Sequence, residues 1–283
     1  HYTTMIFINS SPKDGLKFLE PFSSYIVPVG IGCLLAIFEK DGISAGFVDE
    51  QVEENILEKI KSQIEEKYLK KPYIFGFSTL TYTHRNGLIL SRKLRELYPD
   101  SIIIFGGIHP SAAPDEVIAE DHIDIVFRGE GEEVLPDLYR CLKEGRDFSH
   151  LPNITFKKNG RVISNEQSSK VDKLDTLPLF PYHHFDPKVY NLGFVLSSRG
   201  CPYKCTFCSN RATTGFVYRY RSAEIVLQEV ELLYRKFNQK KIVIVDDIFS
   251  VNKKMIREFL AGLRKKDFYG KVRFSINARG DNL

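Results

Sequence analysis

Ser197-Ser-Arg-Gly-Cys-Pro-Tyr-Lys-Cys-Thr-Phe-Cys-Ser209 follows directly on the apolar run at 193–196 and gathers three of the chain's five cysteines into one loop. Cys201, Cys205 and Cys208 form a C-x3-C-x2-C triad, one ligand short of a closed metal site. Structural zinc takes four protein ligands and iron–sulfur clusters are usually held by four thiolates. Three cysteines in one loop therefore predict a cluster with one iron left open to a small molecule. Two plainer readings stand beside this one: a zinc site completed by His183 or His184, and three structural cysteines in a reducing compartment.

The loop interrupts a rhythm of strands and helices. After it, 222–237 reads as a helix whose Ser222 and Glu224 suit an N-terminal turn, 241–245 as a strand, 253–265 as a helix and 272–276 as a strand. Upstream, continuous apolar runs at 5–8, 45–48, 73–77, 102–105 and 123–127 have the character of parallel strands covered on both faces. Between them, 31–40, 55–68, 85–97 and 115–120 carry apolar residues at helical spacing. Five strands with helices between them predict a doubly wound (Rossmann-like) α/β domain over 1–150. Its ligand is expected at the carboxyl ends of the strands, where the loops are Ser78-Thr-Leu-Thr81, Gly106-Gly-Ile-His109 and Arg128-Gly-Glu-Gly-Glu132. Residues 151–190 read as a connecting segment, with a hairpin turning at Asn159-Gly160 and an extended stretch punctuated by Pro178, Pro181 and Pro187. Residues 191–283 form the second domain.

Composition narrows the function. The 283 residues suffice for two domains, and 43% hydrophobic content for sizeable cores. A net charge of +4, from 40 basic and 36 acidic residues scattered along the chain, argues for neither nucleic acid nor an anionic membrane as partner. The longest uncharged stretch, 21–38, is too interrupted by proline and glycine to span a bilayer, and no signal peptide is visible. Five cysteines, three of them clustered, fit a reduced cytoplasmic protein. Cys33 and Cys141 read as core residues.

With Phe207 in the aromatic slot of C-x3-C-x-aromatic-C, the loop resembles that of the radical S-adenosylmethionine (SAM) enzymes. In that family it binds a four-iron, four-sulfur (4Fe-4S) cluster whose fourth iron chelates SAM. The upstream loops, from Pro28-Val-Gly-Ile31 through Gly76-Phe-Ser-Thr79 and Gly106-Gly-Ile-His109 to Arg128-Gly-Glu-Gly-Glu132, resemble in order the cobalamin-binding domain that precedes the radical SAM barrel in one large subgroup. The resemblance implies a cobalamin (B12)-dependent radical SAM enzyme, most simply a methyltransferase. In such enzymes a 5′-deoxyadenosyl radical activates the substrate and methylcobalamin supplies the methyl group. It further implies a small-molecule or natural-product-like substrate, and electrons from a donor such as flavodoxin or ferredoxin. The family's partial barrel has six βα units and this stretch carries three strands, so the chain reads as part of a longer enzyme. A cyclase or rearrangement enzyme with the same cofactors, as in anaerobic porphyrin-ring formation, is the alternative within enzymes. A non-catalytic cobalamin- or zinc-binding module is the alternative outside them.

The resemblance assigns residues as follows. Cys201, Cys205 and Cys208 hold the cluster. Phe207, Asp246, Asp247, Ser275 and Arg279 lie toward SAM, with helix capping as the competing role for the two aspartates. Gly30, Ser78, Thr79, Leu80, Thr81, Gly106, Gly107, His109, Gly129, Glu130 and Gly131 lie toward cobalamin: glycines let backbone approach a flat macrocycle, and hydroxyls face its nucleotide tail. Arg219-Tyr-Arg221-Ser222 matches an R-x-R-S pattern that suits anion clamping. Cobalamin domains with D-x-H-x-x-G after the first strand place a histidine on cobalt, whereas this chain has Asn9-Ser-Ser-Pro-Lys-Asp-Gly15. The expectation is a cobalamin without protein histidine on the metal, with His84 and His109 in the binding loops.

Overall fold

A computed structural model describes residues 5–11, 25–66, 71–167 and 170–282. The chain divides into two compact units: His1–Ser23 with Pro28–Lys170, and Ser24–Val27 with Val171–Leu283. In chain order the first elements are β1 (Met5–Asn9), β2 (Tyr25–Ile26, counted in the second unit), α1 (Val29–Lys40), β3 (Gly46–Asp49), α2 (Ile56–Glu66), β4 (Ile74–Ser78), α3 (His84–Leu97) and β5 (Ile102–Gly106). There follow α4 (Ile108–Ala112), α5 (Pro114–Ile118), β6 (Ile125–Phe127), α6 (Leu135–Glu144), β7 (Ile154–Lys158) and β8 (Arg161–Ser164).

The first unit is a seven-stranded sheet of order β3-β1-β4-β5-β6-β7-β8. The five strands from β3 to β6 are parallel, in register Ile6↔Phe75, Phe75↔Ile103 and Ile104↔Ile125 along the sheet. Both faces of the central strands are buried, which is why their sequences are unbroken apolar runs. Ile8, Phe77 and Phe105 pack with Ile60 of α2 and Leu94 of α3. On the opposite face Phe7 meets Phe38 of α1 edge-on at 5.2 Å. The hairpin β7–β8, read from sequence as part of a connecting segment, instead extends this sheet, with β7 antiparallel to β6. Phe156 and Ile154 are buried there and give the reason. Helix α6 holds the buried Cys141 and carries Pro136 in its first turn, where proline is tolerated.

The second unit continues with β9 (Tyr190–Asn191), β10 (Phe194–Val195), β11 (Ser198–Arg199), α7 (Asn210–Thr213), β12 (Arg219–Tyr220), α8 (Ala223–Phe237), β13 (Lys241–Ile244), α9 (Lys253–Lys265) and β14 (Arg273–Ile276). β10, β13 and β14 form a parallel sheet, the expected start of a βα barrel. Ser222 caps α8 by accepting from the Ile225 amide, and Asn252 caps α9 by accepting from Met255. The proline-punctuated stretch is not simply extended. It carries 3-10 turns at Leu174–Thr176 and Tyr182–His184 and buries Phe180, Tyr182 and Phe185, so that it packs into the second unit. The Tyr182 hydroxyl donates to Phe194 O at 2.7 Å.

Candidate functional site

In the first sheet the chain runs outward from β1 to β3 and then crosses back to β4 on the other side, so the strand order reverses between β1 and β4. Ligands of open α/β sheets bind at such a switch point, beyond the carboxyl ends of the strands. Asn9–Ser10, Ser78–Thr79 and Gly106–Gly107 end the three central strands there. Thr79 N donates to Gly106 O (3.0 Å), His109 N to Thr79 O (3.3 Å) and Ser10 N to Ser78 O (3.4 Å), so the loops form one backbone-bonded rim. Gly107 has φ +100°, and a Cβ on it would lie 2.8 Å from Thr79 O, so only glycine fits. Gly30 and Gly106, expected to be of the same kind, have no such constraint: an added Cβ meets nothing within 4 Å at Gly30 and only ordinary contacts at Gly106. Leu80 and Thr81 are exposed beyond the rim, and Gly131 is buried against Leu34.

Three residues missed in the sequence complete this edge. Gly87 brings α3 so close that an added Cβ would stand 2.9 Å from the Thr79 side chain and 3.0 Å from Ser10 Oγ. Ser111 donates its hydroxyl to Gly107 O (2.7 Å) and accepts from Gly129 N (2.9 Å), joining two of the predicted loops. Ser10 Oγ is buried without a hydrogen-bond partner. A buried orphan hydroxyl at the switch point, among the hydroxyl- and glycine-bearing strand ends, fits a polar ligand tail entering here. Residues 12–15 of the loop lacking the histidine lie outside the described residues.

His84 opens α3 and is buried. Its Nδ1 is 3.3 Å from Thr79 Oγ1, and its ring stacks on His109 at a centroid distance of 4.1 Å. Burial, reinforced by the neighbouring His109, lowers its pKa from the ordinary 6.5 to about 4. An unfolded chain then takes up this proton first as the pH falls. The His84 contribution to stability is therefore intact above pH 6.5 and is lost progressively as the pH falls from 6.5 toward 4, by no more than about 3 kcal/mol. Urea titrations of the unliganded protein at pH 7.5 and 4.5 are expected to show a smaller loss for His84→Asn than for the wild type. Equal losses would contradict this burial account.

In the second unit the cysteine loop is tied at its base by the antiparallel pairing of β11 with β12, Ser198↔Tyr220 and Arg199↔Arg219. Gly200 turns the chain into the loop at φ +79°, where a Cβ would collide with Val217 O at 2.2 Å. Cys201, Cys205 and Cys208 are half-buried free thiols, and Cys208 N donates to Cys205 O at 3.2 Å. Phe207 between them is 89% exposed. Three unoxidised thiols on a backbone fixed at both ends are a donor set suited to a cluster with an open position.

The strand end beside this loop places Asp246 and Asp247 differently. Along β13, Ile242 and Ile244 are buried and Val243 is exposed. Beyond the strand's end Asp246 follows the buried positions, while Val245 and Asp247 follow the exposed one. The Asp246 carboxylate accepts from Ser197 N (2.8 Å) and Ser198 N (2.9 Å) on Oδ1, and from both serine hydroxyls (2.5 and 2.7 Å) on Oδ2. With four donors on its two oxygens, it fastens the root of the cysteine loop. Burial pushes its pKa up, against the pull of these four bonds. Asp247 stays exposed. Ser275, opposite Val243 in register, is exposed too.

The R-x-R-S arginines are likewise structural. Arg221 pairs with Glu229 at 2.7 Å, both buried, and donates to Pro178 O; Arg219 donates to Val171 O. Arg279 does not stand free above the sheet. Its guanidinium lies 4.0 Å over the Tyr203 ring, inside the cysteine loop, and forks onto Asp281.

The description "B12 binding domain" matches residues 18–139, and "Radical SAM superfamily" matches residues 195–283. The chain is 30% identical over 196 residues to an uncharacterized methyltransferase of Pyrococcus horikoshii, covering 66% of this chain and 43% of that protein. It is 28% identical over 196 residues to the anaerobic magnesium-protoporphyrin IX monomethyl ester cyclase of Synechocystis, covering 66% and 38%. It thus spans less than half the length of these curated relatives. Among solved structures it superposes on the cobalamin-dependent S-adenosylmethionine radical enzyme OxsB, solved with aqua-cobalamin and SAM bound. The TM-score is 0.79 at 22% identity, over 99% of this chain and 39% of that one.

Proposed function

Because the chain belongs to the cobalamin-dependent radical SAM family, we propose that it is part of a methyltransferase acting on a small-molecule substrate. The observation that carries this reading is the presence in one chain of two unlike sites: a hydroxyl- and glycine-lined switch point, and a three-thiol loop rooted on Asp246. When bound, the cluster with SAM supplies radical chemistry and cobalamin a methyl carrier; the protein's share is to hold and orient them. Cys201, Cys205 and Cys208 bind the cluster. Phe207, Asp247 and Ser275 face SAM, while the loops 78–81, 106–109 and 129–131 receive cobalamin. No helix among the described residues is long and apolar enough to cross a membrane. A cytoplasmic enzyme drawing electrons from a flavodoxin- or ferredoxin-type donor is consistent with that.

Likeness to the porphyrin cyclase favours a second reading, in which the same cofactors serve ring closure without methyl transfer. Methyl-labelled SAM separates the two. With the anaerobically reconstituted protein and a small-molecule extract, methyl transfer yields S-adenosylhomocysteine beside 5′-deoxyadenosine and a labelled product. 5′-Deoxyadenosine without S-adenosylhomocysteine or labelled product supports the cyclase-type reading and overturns the first.

A further inference from the structure

Arg279 lies three residues past β14, yet one contact ties it to the cysteine loop and a second interaction fixes its orientation. Its guanidinium carbon stands 4.0 Å from the centroid of Tyr203, the middle residue of Cys201-Pro-Tyr-Lys-Cys205. Its Nε and Nη2 donate to Asp281 Oδ1 and Oδ2 at 3.0 and 2.9 Å, which fixes the plane of the group. Around Tyr203 the residues Pro202, Lys204, Thr206 and Phe207 are exposed, and Lys204 Nζ lies 5.7 Å from the centroid of the Phe216 ring.

We propose that Arg279 is a positioning residue for the cluster rather than a ligand of SAM: it clamps the loop through Tyr203 and sets a fixed positive charge on the loop between Cys201 and Cys205. The proposal rests on the cluster reading above. One edge of the guanidinium is committed to Asp281 and one face to the tyrosine, so neither is free to clamp a carboxylate of SAM. A planar, always charged group is suited to this post, because it stacks and forks at once, as an ammonium does not. A cluster gains one negative charge when it takes up an electron. A cation alongside therefore favours the reduced form and raises the reduction potential, and an anion lowers it. Asp281 offsets part of the arginine charge, so the two residues pull the potential in opposite directions.

The test is a dithionite titration of the anaerobically reconstituted chain, with one electron delivered per cluster and electron paramagnetic resonance as the readout. Arg279→Gln is expected to lower the midpoint potential and Asp281→Asn to raise it. Tyr203→Leu is expected to reduce the iron held per chain. Arg279→Lys, which keeps the charge but not the stack and fork, is expected to hold a potential closer to wild type than Arg279→Gln does, with reduced iron content. Unchanged potentials in both Arg279→Gln and Asp281→Asn would overturn the proposal, as would a loss of SAM affinity in Arg279→Gln at wild-type potential. A wild-type chain that takes up no iron and sulfide overturns the cluster reading itself, and this proposal with it.

Discussion

Replacing Cys201, Cys205 and Cys208 together by Ala is expected to abolish iron uptake and the visible absorbance of a reconstituted cluster, while cobalamin binding persists. Thiolates are the only soft ligands the loop offers, and a cluster that loses all three has nothing to hold it. The rim proposed to receive cobalamin is built on the other unit, from the carboxyl ends of β1, β4 and β5, and uses no cysteine. Cys141, a buried residue of α6, serves as the control: Cys141→Ala is expected to keep its full iron content. Iron and corrinoid quantified on the same reconstituted samples read both expectations. A triple variant that still binds a full cluster would remove the basis of the functional reading.

The second large effect is structural. Asp246→Ala removes the acceptor for two backbone amides and two hydroxyls, all buried, and is expected to cost the second unit about 3–5 kcal/mol, as for breaking other buried charged networks. Asp246→Asn is expected to cost much less. The amide oxygen still accepts from Ser197 N and Ser198 N, and the serine hydroxyls can rotate to accept from the amide nitrogen. Asp247→Ala, at an exposed position one residue on, is expected to change stability by no more than about 0.5 kcal/mol. Denaturant unfolding of the three variants decides the matter. Equal stabilities for Asp246→Ala and Asp247→Ala would mean that the four-bond network contributes nothing.

That pair of aspartates also marks how far the sequence could be read. The five parallel strands of the first sheet were legible because each is a closed apolar run, and the cysteine loop because its spacing is specific. The sorting of Asp246 from Asp247 was present in the sequence as well: alternation from Ile242 and Ile244 leads to Asp246 on the buried side, and from Val243 and Val245 to Asp247 on the open side. Reading the strand end as one polar cluster lost that distinction. Other features depend on partners no local pattern announces. Arg221 finds Glu229 eight residues on, Arg279 finds Tyr203 from the far side of three helices, and the hairpin β7–β8 joins the first sheet because β6 offers it an edge. Gly87 and Ser111 sit in helices where nothing local separates a close approach or a loop brace from an ordinary surface choice.

One short strand bears on how such a chain is made. β2 lies between β1 and α1 along the chain but pairs with β9, Tyr25↔Tyr190 and Ile26↔Asn191, and is counted with the second unit. A ribosome therefore releases this piece of the second unit before any of the first sheet beyond β1. It stays unmatched until the entire first unit has been synthesised, and closing that long loop carries an entropic cost that grows only logarithmically with its length. The two units are consequently sequential in function but interlaced in assembly. No single cut between residues 150 and 190 yields two fragments that each contain all of their own strands, so a cleaved or separately expressed second unit leaves β9 with an open edge for foreign strands to occupy.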